Sequence, residues 1–175
     1  MQIRAAGRWI GFTILLAALV HVATVWLIPQ RVMSRTLDRA SENAGINQLY
    51  HAPRVTAESR SIVRPSPDLA YSVCAFDLSR APIRLAVPRA ADYISIAGYA
   101  DNTDNFMVVN NTAFPEAGWN GWIATEPQAS SMQGNVVISP SSKGIVLIRR
   151  LVRSPDGWPA VNSERDQMSC VSEGG

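Results

Sequence analysis

The hydrophobic positions of this chain follow three patterns in succession: an unbroken apolar run, an amphipathic stretch, and short segments that alternate apolar and polar residues. The unbroken run is Trp9 to Ile28, in which the only polar side chains are Thr13, His21 and Thr24. About 20 apolar residues, each rising about 1.5 Å in a helix, cross a hydrocarbon core of about 30 Å. The sequence therefore predicts a transmembrane helix that ends a first region, residues 1–28, and contacts the lipid bilayer.

The predicted helix is a retained anchor rather than a cleaved signal peptide. Arg4 and Arg8 precede it, as basic residues do in both kinds of segment. The apolar core of a cleaved signal, however, has only about 7 to 15 residues and ends at a small-residue site. Here the run continues to Pro29, and its best cleavage candidate, around Ala23, lies inside it. We expect a single uncleaved span.

The cysteines decide the side of the membrane, because the basic residues flanking the span nearly balance. Cys74 and Cys170 are the only two cysteines, and both follow the span. An even pair in a small exported domain is typical of a disulfide in an oxidising compartment, whereas two separate buried thiols would suit a cytosolic domain. We favour the disulfide, which predicts a protein of the inner (cytoplasmic) membrane whose C-terminal domain faces the periplasm.

The amphipathic stretch, residues 29–49, is predicted to be a helical linker. Its apolar residues fall roughly on one side of a helix over Gln30 to Ala44, and Gly45 is a stop signal. Such a helix is either a stalk that lies near the membrane or on a partner, or a connector packed on its own domain. The next residues, Ile46 to Pro67, are predicted to be irregular because prolines interrupt them.

Alternation of apolar and polar residues then predicts a β-rich domain over residues 50–171, with a tail of residues 172–175. The predicted strands are Tyr71 to Leu78, Ile83 to Val87, Tyr93 to Tyr99, Phe106 to Asn110, Asn135 to Ile138 and Gly144 to Val152. Short polar joints connect the first four, which predicts an antiparallel meander because parallel strands need longer crossovers. The last strand is apolar on both sides and is expected to be central. A short helix over Ala160 to Met168 follows it.

This region resembles the bacterial family catalogued as domain of unknown function 1254. The family pattern combines a turn before a first strand, an L-D-L-S turn, a proline-bounded strand, a Tyr-Ser-Ile strand and a Thr-x-Asn-Phe loop. In this chain the matching positions are Pro67, Asp68, Leu69, Tyr71, Asp77, Leu78, Ser79, Pro82, Pro88, Tyr93, Ser95, Ile96, Thr103, Asn105 and Phe106. Ser66 and Ala70 replace the usual Asn and Thr, which puts any polar role at these two positions in doubt. The resemblance resumes at ISPSSKGIVLIRRLVRS and AVNSERDQ, and it covers roughly Tyr50 to Gln167.

The resemblance implies a mainly β protein, namely an antiparallel β-sandwich or jelly-roll-like module with an N-terminal transmembrane helix and a short C-terminal helix. It implies no reaction, because the family has none established. Many members are longer and continue into a second domain of unknown function, 1214. A separate protein that carries that second domain is therefore the partner that the resemblance implies.

Composition and motifs narrow the function classes. The formal charge of +2 and the scattered arginines provide no continuous track for phosphates, so no nucleic-acid partner is expected. The sequence contains no G-x-S-x-G, H-E-x-x-H or P-loop motif, and we predict no catalytic residues, metal site or cofactor. Two hypotheses remain: a membrane-tethered protein-interaction module, which we favour, and an envelope enzyme or carbohydrate-binding domain.

A few polar and aromatic residues are candidates for ligand binding. They are Asp68, Tyr71, Asp101, Asp104, Asn105, Trp119, Trp122 and Arg149. Some occupy family positions or interrupt an apolar strand. The Asp and Asn residues between 101 and 105 form the densest group of oxygen ligands, although turn formation explains them as well. The two tryptophans are predicted to lie in a loop, either as a lid over an open end of the sheet or as a platform for a sugar ring.

Overall fold

The computed structural model describes residues 2–59 and 64–173 of the 175-residue chain. Its first element is one long helix, α1, over Gln2–Ala44, which runs without interruption across the predicted boundary at residues 28 and 29. Between Ala6 and Ile28 every side chain is exposed, and the helix is long and apolar enough to span a membrane. The hydroxyls of Thr13 and Thr24 donate to helix carbonyls four residues earlier, so these polar groups are satisfied within the helix. Met1, Gly174 and Gly175, the ends of the first and last predicted regions, lie outside the described residues.

The second half of α1 packs on the β domain. Met33 is only 6% exposed, and the helix contacts the strands that begin the domain. Gly45 ends the helix with a φ of 92°, and its N–H donates to the Ser41 carbonyl at 2.8 Å. A glycine adopts this left-handed conformation without the steric cost of a Cβ atom. The amphipathic stretch is thus a connector held against its own domain.

Nine strands, two short α-helices and one turn of 3-10 helix, Pro155–Gly157, follow α1 among the described residues. The strands are β1 (Gln48–His51), β2 (Leu69–Asp77), β3 (Ile83–Val87), β4 (Ile94–Ala100), β5 (Asn105–Asn110), β6 (Trp119–Ala124), β7 (Val136–Ile138), β8 (Lys143–Leu151) and β9 (Ser169–Ser172). Helix α2 (Glu126–Ala129) precedes β7, and helix α3 (Trp158–Arg165) precedes β9. The expected class is confirmed: a mainly β domain with a long apolar N-terminal helix and a short C-terminal helix.

The strands form two sheets. Sheet A has the order β1-β2-β8-β4-β5, and sheet B has the order β7-β6-β3-β9. All pairings are antiparallel except the parallel pair of β6 and β7. Strand β8 lies between β2 and β4, so the predicted central position of the last long strand is confirmed. A core of buried apolar side chains from both sheets fills the space between them.

The predicted four-stranded meander is wrong. Strands β2 and β3 belong to different sheets, and of the four predicted strands only β4 and β5 pair directly with the next in sequence. The connection after β2 crosses from sheet A to sheet B, with Leu78 buried and its N–H donating to the Ser142 carbonyl at 2.7 Å. Alternation of apolar and polar residues shows that one face of a strand is buried. The same alternation occurs in two strands that pair in one sheet and in two strands of different sheets that face each other across a core, so it does not show which strands are neighbours.

Three short elements also differ from the sequence expectations. Strand β1 lies in the stretch predicted to be irregular, and strand β9 replaces the end of the predicted helix and part of the tail. Helix α3 begins and ends earlier than predicted. Strands of four residues are too short, with too few apolar residues, to display a period of two, although Leu49 and Cys170 both pack in the core.

One covalent bond joins the sheets. Cys74 of β2 and Cys170 of β9 form a disulfide, with 6.5 Å between their Cα atoms and a separation of 96 positions in sequence. Both side chains belong to the buried core. Strand β2 of sheet A and strand β9 of sheet B are therefore tied together across the interface of the two sheets.

Candidate functional site

The structure places the predicted ligand-binding residues in three separate regions. Two of these regions are the opposite ends of sheet A. We call the end formed by Asp77, Ala100 and Lys143 the helix end, because α1 packs beside it, and the end formed by Leu69, Ile94 and Leu151 the arginine end. The third region is sheet B, which contains Trp119 and Trp122.

At the helix end, Asp101 and Asp104 lie in the turn between β4 and β5, and Asn105 is the first residue of β5. Asn102 Nδ2 donates to Asp104 Oδ2 at 2.7 Å, and the Asp104 N–H donates to Asn102 Oδ1 at 3.0 Å. Asn105 Nδ2 donates to the carbonyls of Gly98 and Met107. These polar groups therefore stabilise the turn with one another and with the backbone. Within residues 2–59 and 64–173, no three His, Cys, Asp or Glu side chains gather as metal ligands would.

A cleft of about 520 Å³ separates this turn from α1. Ser34, Asp38, Asp77, Asp101 and Lys143 are among the residues that line it. The Asp77 carboxylate lies 3.5 Å from Lys143 Nζ. A hydrogen bond with the Ser79 side chain and the nearby Lys143 ammonium hold the pKa of Asp77 below its usual value. Both partners of this pair are partly exposed, so water screens their attraction.

The tryptophans in sheet B do not lie in a loop, so that part of the prediction is wrong. Both belong to β6, where Trp119 is 4% exposed and contributes to the core. Trp119 therefore offers no face to a sugar ring. Trp122 is half-buried on the outer side, and the guanidinium carbon of Arg84 lies 5.6 Å from the centre of its ring, a cation–π contact.

At the arginine end, the three predicted residues are close in the sheet but have separate partners. Tyr71 and Arg149 are direct neighbours across β2 and β8. The Tyr71 hydroxyl accepts a hydrogen bond from the Ser66 N–H at 2.8 Å, and Arg149 Nε donates to Ser95 Oγ at 3.1 Å. Asp68 receives the Val152 N–H on its carbonyl, while its side chain is exposed. No ligand set is formed by these three alone.

Two other arginines at the same end are buried. Arg150 is 4% exposed and Arg165 is 1% exposed, although arginine is almost never fully buried unless it is paired. Arg165 Nη1 donates to the carbonyls of Ala52 at 3.0 Å and Tyr71 at 2.8 Å, and its guanidinium lies 5.0 Å from the centre of the Trp158 ring. Arg165 Nη2 also donates to Asn162. Arg165 therefore ties α3 to the start of sheet A.

Arg150 has a different set of contacts. It occupies the core-facing side of β8, in register with Ala70 and Ile94, and its Nη2 donates to the Glu164 carboxylate. Its Nη1 and Arg165 Nε are buried and have no hydrogen-bond partner among the described residues. Burial, and to a smaller extent repulsion from Arg150, lower the pKa of Arg165. The arginine end thus contains two buried positive charges whose donors are incompletely satisfied.

His51 is close enough to Arg165 to be affected by its charge. Its Nδ1 lies 2.8 Å from Ser72 Oγ, and the two residues face each other across β1 and β2. Burial is the main cause that lowers the pKa of His51, and the positive charge of Arg165 lowers it further, while Asp166 raises it. A neutral imidazole is therefore favoured beside the arginines. The contact with Ser72 gives this histidine a structural role in the pairing of β1 and β2.

The sequence contained one signal for the buried arginines. Arg150 lies on the same side of the strand as Val146, Ile148 and Val152. A charged residue therefore occupies the apolar side of a central strand. A charge in that position requires a partner, because an isolated buried charge is costly. Arg165 had no comparable signal, since it lies in a short polar helix whose packing depends on the tertiary structure.

Comparison with known proteins gives a family. The model of a family described as "Protein of unknown function (DUF1254)" matches residues 46–172, which is more than half of the chain. The chain belongs to this family. The resemblance of the motifs around Asp77 to Phe106 is thereby confirmed, and the family match also includes β1 and β9. No match was found among curated proteins.

One solved structure supports the fold, and a second is similar too weakly to add support. The VPA0106 protein from Vibrio parahaemolyticus is 13% identical, with a TM-score of 0.56, and the match covers 82% of this chain and 37% of that one. An uncharacterized protein from Burkholderia cenocepacia is 16% identical, with a TM-score of 0.46, over 73% of this chain and 37% of that one. The chain thus spans about a third of the length of these two structures. At these identities the likeness concerns the fold alone.

Proposed function

We propose that this member of the domain of unknown function 1254 family is a single-span protein of the inner membrane, whose β domain stands on the periplasmic face and binds another envelope protein. Helix α1 carries this proposal. The side chains of its first part are apolar and exposed, and its second part packs on sheet A. One continuous helix therefore joins the candidate span to the domain. The domain is therefore held next to the membrane rather than on a flexible tether.

The turn between β4 and β5 supports this placement. Asn102 borders a small cleft together with Trp26 and Pro29, at the end of the apolar run. Trp26 is 71% exposed, as expected for an indole that lies in the headgroup layer. The helix end of sheet A would then face the bilayer, and the arginine end would point away from it. The Cys74–Cys170 disulfide favours the oxidising side of the membrane.

The location is tested by extraction and by labelling. We expect the full chain to remain in the membrane fraction after alkaline carbonate treatment, because an apolar span resists that wash. We also expect the two thiols to react with maleimide only after reduction and unfolding. Release of the intact chain by carbonate would contradict the anchor. Ready labelling of both cysteines in the folded, unreduced protein would contradict the periplasmic location.

The surface proposed for the partner is the outer side of sheet B. One row across this sheet consists of Val136, Trp122, Arg84 and Val171, in register on four adjacent strands. Val171 is 45% exposed, and Arg84 covers part of Trp122. Tryptophan and arginine are the residues most enriched at energetically important interface positions. The partner that we expect there is a protein carrying the domain of unknown function 1214.

Site-specific cross-linking tests this surface. A photoreactive amino acid at Val171 is expected to capture the partner in cells, because that side chain lies in the proposed row. The matched control is Val108 on the edge strand β5 of sheet A, which is 61% exposed but lies outside the row. Capture at Val108 and not at Val171, or capture of no protein containing the 1214 domain, would contradict the proposal.

A further inference from the structure

We propose that the buried Arg150–Arg165 pair is a binding site for a carboxylate-bearing ligand, and that the Glu164 side chain occupies this site when the ligand is absent. This inference concerns a different part of the molecule from the surface proposed for the partner protein. It does not depend on the membrane location. It rests on the burial, charge and contacts of the two arginines.

The unused donors are the first argument. Arg150 Nη1 and Arg165 Nε are fully buried and bind nothing among the described residues. A buried donor without an acceptor costs about 1 to 3 kcal/mol, and more when it is charged. Arginine presents its donors as a planar fork that matches a carboxylate in two contacts at once. The pair therefore has the donors for an additional oxygen-bearing anion.

The balance of charge is the second argument. Within the part of the chain that the structure describes, only one carboxylate, that of Glu164, is in direct contact with either buried arginine. Asp92 is close enough to Arg150 for that charge to affect it, but its carboxylate accepts a hydrogen bond from Arg153 instead. Asp166 acts on Arg165 through its charge and is exposed. The region around the two buried cations is thus short of negative charge, and a ligand carboxylate would supply it.

The position of Glu164 is the third argument and decides the class of ligand. Glu164 is the penultimate residue of α3 and is 51% exposed, whereas the Arg150 side chain that it contacts is 5% exposed. Its carboxylate therefore lies at the boundary between solvent and the buried pair. A side chain that is half in solvent has room to rotate away, and a ligand carboxylate that takes its place restores the charged contact with Arg150. A ligand carboxylate can then replace a group of the same shape and charge.

The experiment uses the full chain in detergent with 15N-labelled arginine, and it follows the Nε–H signals of Arg150 and Arg165 during titration with sodium acetate. Sodium chloride keeps the ionic strength constant. In Glu164→Gln the competing carboxylate is gone, so acetate is expected to shift both signals saturably. The apparent affinity should be about tenfold higher than in the original chain, a difference of about 1.4 kcal/mol. Adding Arg150→Lys to Glu164→Gln should abolish the saturation, since the planar fork is lost.

Glu173→Gln is the matched control. Glu173 is also 51% exposed and also pairs with an arginine, but its partner Arg84 is 45% exposed. This variant should leave acetate binding unchanged. Equal affinities in Glu164→Gln and the original chain would overturn the role given to Glu164. Saturation by phosphate but not by acetate would overturn the carboxylate class, and saturation by neither would overturn the site.

Discussion

The two ends of sheet A treat charged side chains in opposite ways. At the helix end, Asp77 and Lys143 pair where both remain partly exposed, and the neighbouring Asp and Asn residues bond to one another in a turn. At the arginine end, Arg150 and Arg165 are buried, and each retains a donor without a partner among the described residues. The polar residues of the helix end are close together in sequence and are easily noticed there, whereas the two buried arginines are separated in sequence and are not.

The comparison separates polar groups that build structure from polar groups that are available to a ligand. A solvated charge costs little and contributes little, because water already satisfies it. A buried charge is costly unless it is fully bonded, so an incompletely bonded one requires an explanation, and the explanation that we propose is a further partner. On this criterion the arginine end, and not the acidic turn, is the better candidate for binding.

The largest expected effect is the loss of Arg165. Arg165→Ala removes two hydrogen bonds to the carbonyls of Ala52 and Tyr71 and the stacking on Trp158, and it leaves a cavity. The free energy of unfolding should fall by about 3 kcal/mol. Urea denaturation followed by tryptophan fluorescence measures it. Arg153→Ala, at an exposed arginine, is the control and should have a much smaller effect. Similar losses in both variants would remove the distinction between buried and solvated arginines.

The next effect is the coupling between Arg150 and Glu164. A double-mutant cycle with Arg150→Met and Glu164→Gln should give a coupling free energy of about 1 to 2 kcal/mol, because one partner is buried and the other is half in solvent. The same cycle on Arg84 and Glu173, where both side chains are exposed, should give a coupling free energy of only a few tenths of a kcal/mol. If the exposed pair were coupled as strongly as the buried one, burial would not be the deciding factor.

A smaller coupling is expected at the helix end. A cycle with Asp77→Asn and Lys143→Met should give about 0.5 kcal/mol, since both groups are partly solvated. Salt should reduce this coupling further, because the Debye length falls to about 3 Å at 1 M. Measuring the cycle at low and high salt tests both points. A coupling of several kcal/mol that did not respond to salt would place this pair in the same class as the arginines.

The sequence predicted those parts of the fold that depend on local pattern. The period of two located β3 without error and β2, β4, β5 and β8 to within a residue or two. The apolar run located the first part of α1, and the amphipathic stretch located its second part. It did not predict which strands are neighbours. That choice depends on contacts such as the disulfide and the buried Leu78 connection, which join segments far apart in sequence or in different sheets.

The candidate site was predictable only in part, for the same reason. Tyr71 and Arg149 were chosen and do lie at the arginine end, where the Tyr71 carbonyl binds Arg165. Arg165 itself is 94 positions away from Tyr71 in sequence. Its burial depends on how α3 packs against the start of β2, which no local pattern records. Asp101 and Asp104 attracted attention by density of oxygen atoms, a feature that turns and cation sites share.

The smallest effect sharpens the comparison through pH. Because the pKa of His51 is lowered below 6.5 in the folded protein, the unfolded chain binds the proton more readily. Stability should therefore fall as the pH drops through 6.5, and this contribution should level off below the folded-state pKa.

His51→Gln should flatten that part of the profile, with His21 unchanged in both chains. Asp166→Asn should extend the loss to lower pH, because Asp166 opposes the lowering by Arg165. Free energies of unfolding measured between about pH 5 and 8 for the original chain and both variants test these expectations. A steeper slope in His51→Gln would mean that the arginine end favours the charged imidazole, and the excess of positive charge inferred there would be wrong.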